Sequence, residues 1–406
     1  MDEYSTLGLW RGASQITMLW SATLAMLSMV AVVRANALEP IFGGLNLAVR
    51  LHRKLGLAAI LLLVAHVALL TADSVSKGVP IVEVLVPFST PNARSMDILV
   101  FYALIALGFL AYDKRLRYER WLVLHRGVGL LFVLGTVHAA MEPGTINEFE
   151  PLRTWIVILL LAGAAAWTYR ILLFGRFGPH YAYQLHEAKP RGSETIDLIM
   201  RPQDRRMMYE PGTFVFLGVP GFENQAKELH PFSISSSPVD RELRVSIRQI
   251  GDFTKRLSDL QKGDAIDIYG PFGSFSPQRF AKYRRLVWVG AGIGITPFLG
   301  MLAFEQDNHD FRRIWLYYVA HNQDHAVYDK EISDSFMEAD SFIDYQLWDT
   351  SVRGHITAKQ IADDVVLDDY AVMLCGTPAF VADMAAQFQA LGLPRSRIIA
   401  EVLEFR

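Results

Sequence analysis

Four histidines stand inside two long apolar stretches: His52 and His66, fourteen positions apart, and His125 and His138, thirteen apart. An ionisable side chain in a lipid-spanning segment is costly and marks a functional site by default. Fourteen residues are close to four helical turns, about 21 Å of rise, so His52 and His66 share one face at two depths. On parallel helices the pairs match in depth, His52 with His125 and His66 with His138, and each pair offers two axial imidazoles to one iron. The pattern implies two stacked haems with both axial positions filled, suited to one-electron transfer and leaving no open iron position. Single intramembrane histidines also serve as interhelical hydrogen-bond donors or proton relays; four, paired by depth, favour ligation. The spacing of thirteen leaves His138 well over a quarter-turn from the face of His125. Gly127, Gly129 and Gly135 lie in that interval and permit either a bend or a π-bulge.

The elements that must hold these rings are apolar runs at 16–33, 55–71, 98–112, 121–140 and 154–174. Crossing the hydrocarbon takes about 20 apolar residues, and the third run is short by that measure. None resembles a cleavable signal peptide. The chain of 406 residues is 51% hydrophobic and 20% charged, with the apolar runs confined to the part before about Phe174. A net charge of −3 and the lack of a basic stripe exclude a nucleic-acid partner, and the single cysteine, Cys375, excludes an internal disulfide. Loop charge sets the orientation. Arg34, Arg50, Arg53 and Lys54 follow the first run, and Lys114, Arg115, Arg117 and Arg120 follow the third. By the positive-inside rule these links are cytoplasmic. His52 and His125 then lie at cytoplasmic ends, His66 and His138 toward the outer face, and the soluble part lies in the cytoplasm with the N-terminus outside.

After Tyr183 short alternating segments at 196–200, 214–218, 243–250 and 265–269 read as strands of a small antiparallel barrel. Within it lies His230-Pro231-Phe232-Ser233, where a hydroxyl beside an aromatic suits a flavin: the ring flanks the isoalloxazine and Ser233 reaches N5. Arg248, Gly251 and Thr254 follow. They fit either an anion nest for a pyrophosphate or simply a strand, a turn and a capped helix start. Leu286–Val289 is a buried-type strand running into Gly290-Ala291-Gly292-Ile293-Gly294-Ile295-Thr296-Pro297 and an apolar helix. A strand, glycine turn and helix N-terminus is a phosphate-binding arrangement. Further strands at 314–320 and 371–374 give a doubly wound α/β domain, and Cys375-Gly376 sits at the carboxyl end of the last. Cys375 is either a nicotinamide contact or an ordinary buried thiol.

Taken together, these residues resemble the NADPH oxidase and ferric reductase superfamily, in its prokaryotic NADPH oxidase-like form. The histidine pairs are similar to its ferric reductase-type transmembrane domain. His230 to Ser233, Gly290 to Pro297 and Cys375-Gly376 are similar to ferredoxin–NADP reductase-type FAD and NAD(P) motifs. The resemblance implies an α-helical transmembrane bundle of five visible helices (residues 1–178), an antiparallel β-barrel FAD domain (179–281) and an α/β nucleotide-binding domain (282–406). It implies NADPH or NADH, FAD and two haem b as cofactors, and an integral protein of a bacterial inner membrane that sends electrons to an acceptor outside. Dioxygen is the expected acceptor; a ferric chelate, a quinone or an extracytoplasmic protein is the alternative. The ending Glu401 to Arg406 is similar to the family's aromatic terminus, which implies that Phe405 shields the flavin. The chain departs from the family in three places. One apolar run precedes Arg50 where two are usual, Leu70 stands where eukaryotic oxidases often have another histidine, and His321-Asn322-Gln323-Asp324 stands where NADPH-preferring relatives often place an arginine.

Overall fold

Leucine- and alanine-rich segments in lipid must satisfy every backbone group internally, which leaves the helix as the available form for each single run. The computed structural model describes residues 3–34, 39–89, 94–112, 115–116, 118–141, 149–222, 229–308, 312–336, 342–365 and 369–402; Phe405 lies outside them. Two compact units divide the chain, Met1–Gly178 and Pro179–Arg406.

The first unit holds α1 (Glu3–Ala31), α2 (Leu45–Ser76), α3 (Arg94–Tyr112), α4 (Tyr118–Met141) and α5 (Glu150–Thr168). Each contains a stretch long and apolar enough to cross a membrane. α1 and α2 start well before their hydropathic runs. Polar residues of α1, Ser14 among them, are buried against α2 rather than ending the helix, and Arg50, Arg53 and Lys54 project from the first turns of α2 instead of lying in a link. α4 is α-helical across Gly127, Gly129 and Gly135, so the π-bulge allowed by the sequence is not there; a π turn follows α5 at Tyr169–Leu173.

α1 and α2 pack antiparallel in a seven-residue register. Ser21 Oγ donates to the Ala59 carbonyl at 2.8 Å, while Ser14 meets His66 and Ser28 meets His52. Seven residues are close to two turns, which keeps all three serines on one face. Ala25, Met26, Ala59, Leu104, Phe132 and Leu159 form the core of the bundle. A Cβ on Gly163 of α5 would fall 2.1 Å from Met26 Sδ, so a glycine there lets the helices approach around that side chain.

The second unit begins with a six-stranded antiparallel sheet built from β1 (His180–Arg191), β2 (Thr195–Pro202), β3 (Phe214–Gly218), β4 (His230–Ser233), β5 (Leu243–Arg248) and β6 (Ala265–Phe272). The order is β4-β3-β6-β1-β2-β5, and a bridge between Ile234 and Val245 brings the two edges together, curling the sheet toward a barrel. β4 had no hydropathic signature as a strand. Pro231 cannot donate to a ladder, and an edge strand is where that is tolerated.

A five-stranded parallel sheet follows: β7 (Arg285–Ala291), β8 (Arg313–Ala320), β9 (Ile343–Asp349), β10 (Tyr370–Cys375) and β11 (Ile398–Glu401). Its order, β11-β10-β7-β8-β9, is doubly wound, with the switch point between β7 and β10. The longer helices are α6 (Thr296–Asn308), α7 (Asp329–Phe336), α8 (Ala358–Asp364) and α9 (Pro378–Ala390). Phe298, Met301 and Ile332 cover one face, and Ile361, Met384 and Phe388 the other.

A buried polar cluster ties the antiparallel sheet to α7. Asp197 of β2 is fully buried and accepts from Arg191 Nε at 2.8 Å, Ser246 Oγ at 2.6 Å and Tyr328 OH at 2.7 Å. Arg191 and Arg244 both reach Glu331 of α7 at 2.6 Å. A buried carboxylate needs this many partners to offset its desolvation, and here they come from β1, β5 and the residue before α7.

Candidate functional site

In the first unit, His52 and His125 are brought together. Their Nε2 atoms lie 3.4 Å apart and their rings meet at 85°. His52 Nδ1 lies 3.0 Å from the Ser28 carbonyl. A carbonyl oxygen only accepts, so the proton sits on Nδ1 and the Nε2 lone pair faces His125. His125 is steadied by stacking on Trp121, with ring centroids 4.9 Å apart and an 8° interplanar angle. The same device recurs at His66, whose Nδ1 lies 2.8 Å from the Ser14 carbonyl. Metal-ligating imidazoles almost always donate their other N–H in this way. Among the described residues no three His, Cys, Asp or Glu side chains gather at one point. Two imidazoles suffice for a haem, because the porphyrin supplies the remaining donors, so the residues fit that group. His138 is half-exposed, with Nε2 3.3 Å from Asp97 Oδ1 of α3.

Ser14 and Ser28 are functional neighbours that the reading of the sequence missed. Their signal was present: serines repeating every seven residues on one apolar helix, with Ser14 and Ser28 at the same interval of fourteen as His52 and His66.

In the second unit the two flavin motifs converge. The His230 ring stacks on Phe253, centroids 4.0 Å apart. β4 pairs with β3 so that Ser233 sits opposite Phe214 and Phe232 opposite Val215. The serines that follow are committed: Ser235 Oγ lies 2.8 Å from Ser246 Oγ, and Ser236 Oγ 2.9 Å from Tyr209 OH. Ser233 is buried at the end of β4, opposite Phe214. Arg248 is exposed and paired with Glu194 at 2.7 Å, and Thr254 Oγ1 accepts from the Gly251 N–H at 3.0 Å.

The nucleotide motifs meet at the switch point. Gly290 of β7 pairs with Cys375 of β10, and Cys375 with Glu401 of β11. β7 runs into a 3₁₀ turn, Gly292–Ile295, and then α6, where Thr296 Oγ1 donates to the Ile293 carbonyl and Pro297 occupies the first turn. Gly294 lies against the Cys375–Gly376 peptide: a Cβ there would be 2.5 Å from the Cys375 carbonyl oxygen and 2.7 Å from Gly376 N. A Cβ on Gly300 of α6 would be 2.6 Å from the Ser236 carbonyl oxygen, so the flavin loop abuts the helix of the glycine motif. Burial, and then the Glu401 carboxylate, push the Cys375 thiol well above its ordinary range. It therefore acts as a neutral group. Glu401, buried at 1% exposure, is another side chain whose burial the sequence reading did not single out; an acid inside Ile-Ile-Ala-Glu-Val was its mark.

Known proteins share this organisation. Residues 17–136 match the ferric reductase like transmembrane component, residues 180–266 an FAD-binding domain, and residues 288–386 an oxidoreductase NAD-binding domain. NADPH oxidase 1 of Mus musculus is 28% identical over 185 residues, covering 40% of this chain and 30% of that one. The sulfhydrogenase 2 subunit gamma of Pyrococcus furiosus is 28% identical over 129 residues, covering 32% of this chain and 43% of its own. The chain thus spans less than half the length of either relative. A flavohemoglobin from Malassezia yamatoensis has a similar fold, with a TM-score of 0.55 at 15% identity over 97% of this chain and 98% of that one. This chain is an integral membrane protein and a homologue of the NADPH oxidases, joining a ferric reductase-like transmembrane component to FAD-binding and NAD-binding oxidoreductase domains.

Proposed function

We propose that the protein is a transmembrane oxidoreductase, with FAD and two b-type haems as its redox groups, that oxidises cytosolic NAD(P)H and reduces dioxygen at the outer face of a bacterial inner membrane. The observation that carries this reading is the repeated serine–histidine device. Ser28 with His52 and Ser14 with His66 present two imidazoles from one helix, fourteen residues apart, with their Nδ1 atoms already committed. His52 and His125 would hold one haem, His66 and His138 the other. The Arg50, Arg53 and Lys54 side chains at the start of α2 are exposed, which suits a cytoplasmic end for His52.

Bound FAD converts a two-electron hydride into the single electrons that a haem iron accepts. The protein's part is positioning. Gly290 and Gly294 let the loop after β7 close on Ile295 and on the Cys375–Gly376 peptide, and Gly292 leaves open space beside it, so a dinucleotide backbone can approach the N-terminus of α6 at Thr296 and Pro297. Neutral Cys375, with Gly376 beside it, flanks the nicotinamide. The Ser233 hydroxyl donates toward flavin N5, with His230, Pro231 and Phe232 along the ring. Arg248, Gly251 and Thr254 meet the pyrophosphate once Glu194 is displaced, and Phe405 covers the flavin until the nucleotide arrives. These roles accompany a division into residues 1–178, 179–281 and 282–406.

A reduced-minus-oxidised absorbance spectrum of the membrane fraction, with NADH and NADPH added in turn, tests the reading. Reduction of two haem components by nucleotide, with oxygen uptake matched by superoxide, is the expected result. Ferric-chelate or quinone reduction without superoxide moves the acceptor but keeps the conduit; absence of haem absorbance removes both.

A further inference from the structure

Hydride transfer to a flavin is strict about distance. The C4–H bond of the dihydronicotinamide breaks and an N5–H bond of the flavin forms, the hydrogen carrying both electrons. The reacting atoms must come within about 3 to 3.5 Å, and a misplacement of about 1 Å costs about a hundredfold in rate. The motifs assigned to the two rings stand on different sheets: Ser233 ends β4 of the antiparallel sheet, and Cys375 ends β10 of the parallel one. Whatever sets one sheet against the other therefore sets the approach of the rings. α6 does so by shape: a Cβ on Gly300 would fall 2.6 Å from the Ser236 carbonyl oxygen and 3.2 Å from that of Ile234. α7 adds directional bonds. Glu331 stands between two guanidiniums of the antiparallel sheet, Oε2 accepting from Arg191 Nη2 and Oε1 from Arg244 Nη1, both at 2.6 Å. Behind them the buried Asp197 lies 2.8 Å from Arg191 Nε and 4.0 Å from Arg244 Nη1, so two carboxylates balance two guanidiniums.

Arg244 is joined to the flavin loop as well. Its Nη2 donates to the Ser235 carbonyl at 2.8 Å, its backbone N–H donates to Ser236 Oγ at 2.9 Å, and its carbonyl accepts from the Ser235 N–H at 2.8 Å. One guanidinium thus holds α7 with one nitrogen and, with the other, the backbone two residues beyond Ser233. Its planar fork is rigid, so a displacement of α7 is passed on to the loop rather than absorbed in a flexible stem.

We propose that Glu331 is a positioning residue for hydride transfer: through Arg244 and Arg191 it sets how closely the nicotinamide held by the parallel sheet approaches the flavin held by the antiparallel one. The proposal rests on the reading above that the protein oxidises NAD(P)H through FAD. A clamp that merely held the two sheets together would govern how much FAD is bound and how stable the fold is. A positioning residue governs the limiting rate of hydride transfer and leaves binding in place.

The test is anaerobic stopped-flow reduction of the solubilised full-length holoenzyme over a range of NADH concentrations. Glu331→Asp keeps the charge balance but withdraws the carboxylate by one methylene; Glu331→Gln keeps the length but turns an amide N–H toward one arginine. Lys330→Ala is the control on the same helix, its exposed ammonium being paired with Asp334 at 2.8 Å, and should match the wild type. In both Glu331 variants the limiting rate of flavin reduction should fall about tenfold to a hundredfold, and the isotope effect with 4-deuterated NADH should rise. Bound FAD and the half-saturating NADH concentration should stay within about twofold of wild type. Independently of turnover, the long-wavelength charge-transfer absorbance of NAD⁺ with dithionite-reduced enzyme should weaken. A wild-type limiting rate in both variants overturns this proposal alone, as does a slower rate matched by lost FAD or a raised half-saturation. If Glu331→Gln does not assemble, Glu331→Asp decides. Flavin reduction by neither nucleotide in the wild type overturns the functional reading and this proposal with it.

Discussion

Ser28 and His52 hold each other from both directions. The Ser28 carbonyl accepts from His52 Nδ1 at 3.0 Å, and Ser28 Oγ lies 2.7 Å from the same nitrogen and 3.3 Å from the His52 carbonyl. The backbone contact fixes the tautomer, and the hydroxyl adds a second partner to Nδ1. Ser14 and His66 repeat the arrangement, with Oγ 2.9 Å from Nδ1 and 3.2 Å from the His66 carbonyl. Changing either serine side chain leaves the backbone acceptor in place, so ring orientation and the hydroxyl contact are separable here.

From that separation, Ser28→Ala and Ser14→Ala should both retain full haem content. Each should raise the potential of one haem by about 20 to 60 mV, because a hydrogen bond to Nδ1–H strengthens the ligand and is worth about 0.5 to 1.5 kcal/mol. Potentiometric titration of the haem absorbance measures this. If both variants move the same component, the assignment of one serine to each haem fails.

On the proposed function, His66→Leu removes a ligand outright. We expect it to lose one haem and stop electron delivery across the membrane, while NADH–ferricyanide activity of the second unit persists, since no group of that unit is altered. Pyridine haemochrome content checks the first point, and an unchanged value would sink the ligand assignment.

The parts of this architecture that were legible in the sequence are those set by a local requirement. Lipid demands an unbroken apolar run, so the five long apolar helices described in the first unit could be read, and the central strands β3, β7 and β10 announce themselves by continuous burial. Edge strands β4, β9 and β11 and the interior strand β1 were not read, because half-buried positions and Pro231 erase the pattern. Side chains whose role depends on a distant partner were harder still. Ser28 is explained by His52, 24 positions away, and Arg248 is held by Glu194, 54 positions away. Glu401 is buried only because β11 docks beside β10. No window of sequence contains those relationships.

Cys375 gives a pH prediction. Its folded-state thiol titrates well above the ordinary range, burial being the larger cause and Glu401 the next. The unfolded chain releases that proton near about pH 8.5 and the folded one does not. Its contribution to stability is therefore complete below that pH and is lost as pH rises, at up to about 1.4 kcal/mol per unit. Thermal release of FAD from the full chain should shift to lower temperature between pH 8.5 and 10, and Cys375→Ser should flatten the shift. Equal slopes in the two proteins would contradict it.

Two glycines of one loop should fail in different ways. Gly292 has φ +56° and nothing within 4 Å of where a Cβ would sit, so Gly292→Ala meets only backbone strain, about 1 to 2 kcal/mol. Gly294 has ordinary backbone angles but no room: its Cβ would fall 2.5 Å from the Cys375 carbonyl oxygen. Backbone cannot yield as a flexible side chain does, so Gly294→Ala must push the loop after β7 away from Cys375 and Gly376, at a cost of about 1 to 3 kcal/mol. That shift separates the dinucleotide cradle from the nicotinamide contact. Gly292→Ala should thus lower thermal stability with KM for NADH nearly unchanged, whereas Gly294→Ala should raise KM severalfold and slow flavin reduction in stopped-flow absorbance. An unaltered KM in Gly294→Ala would mean that the nucleotide does not bind across this junction.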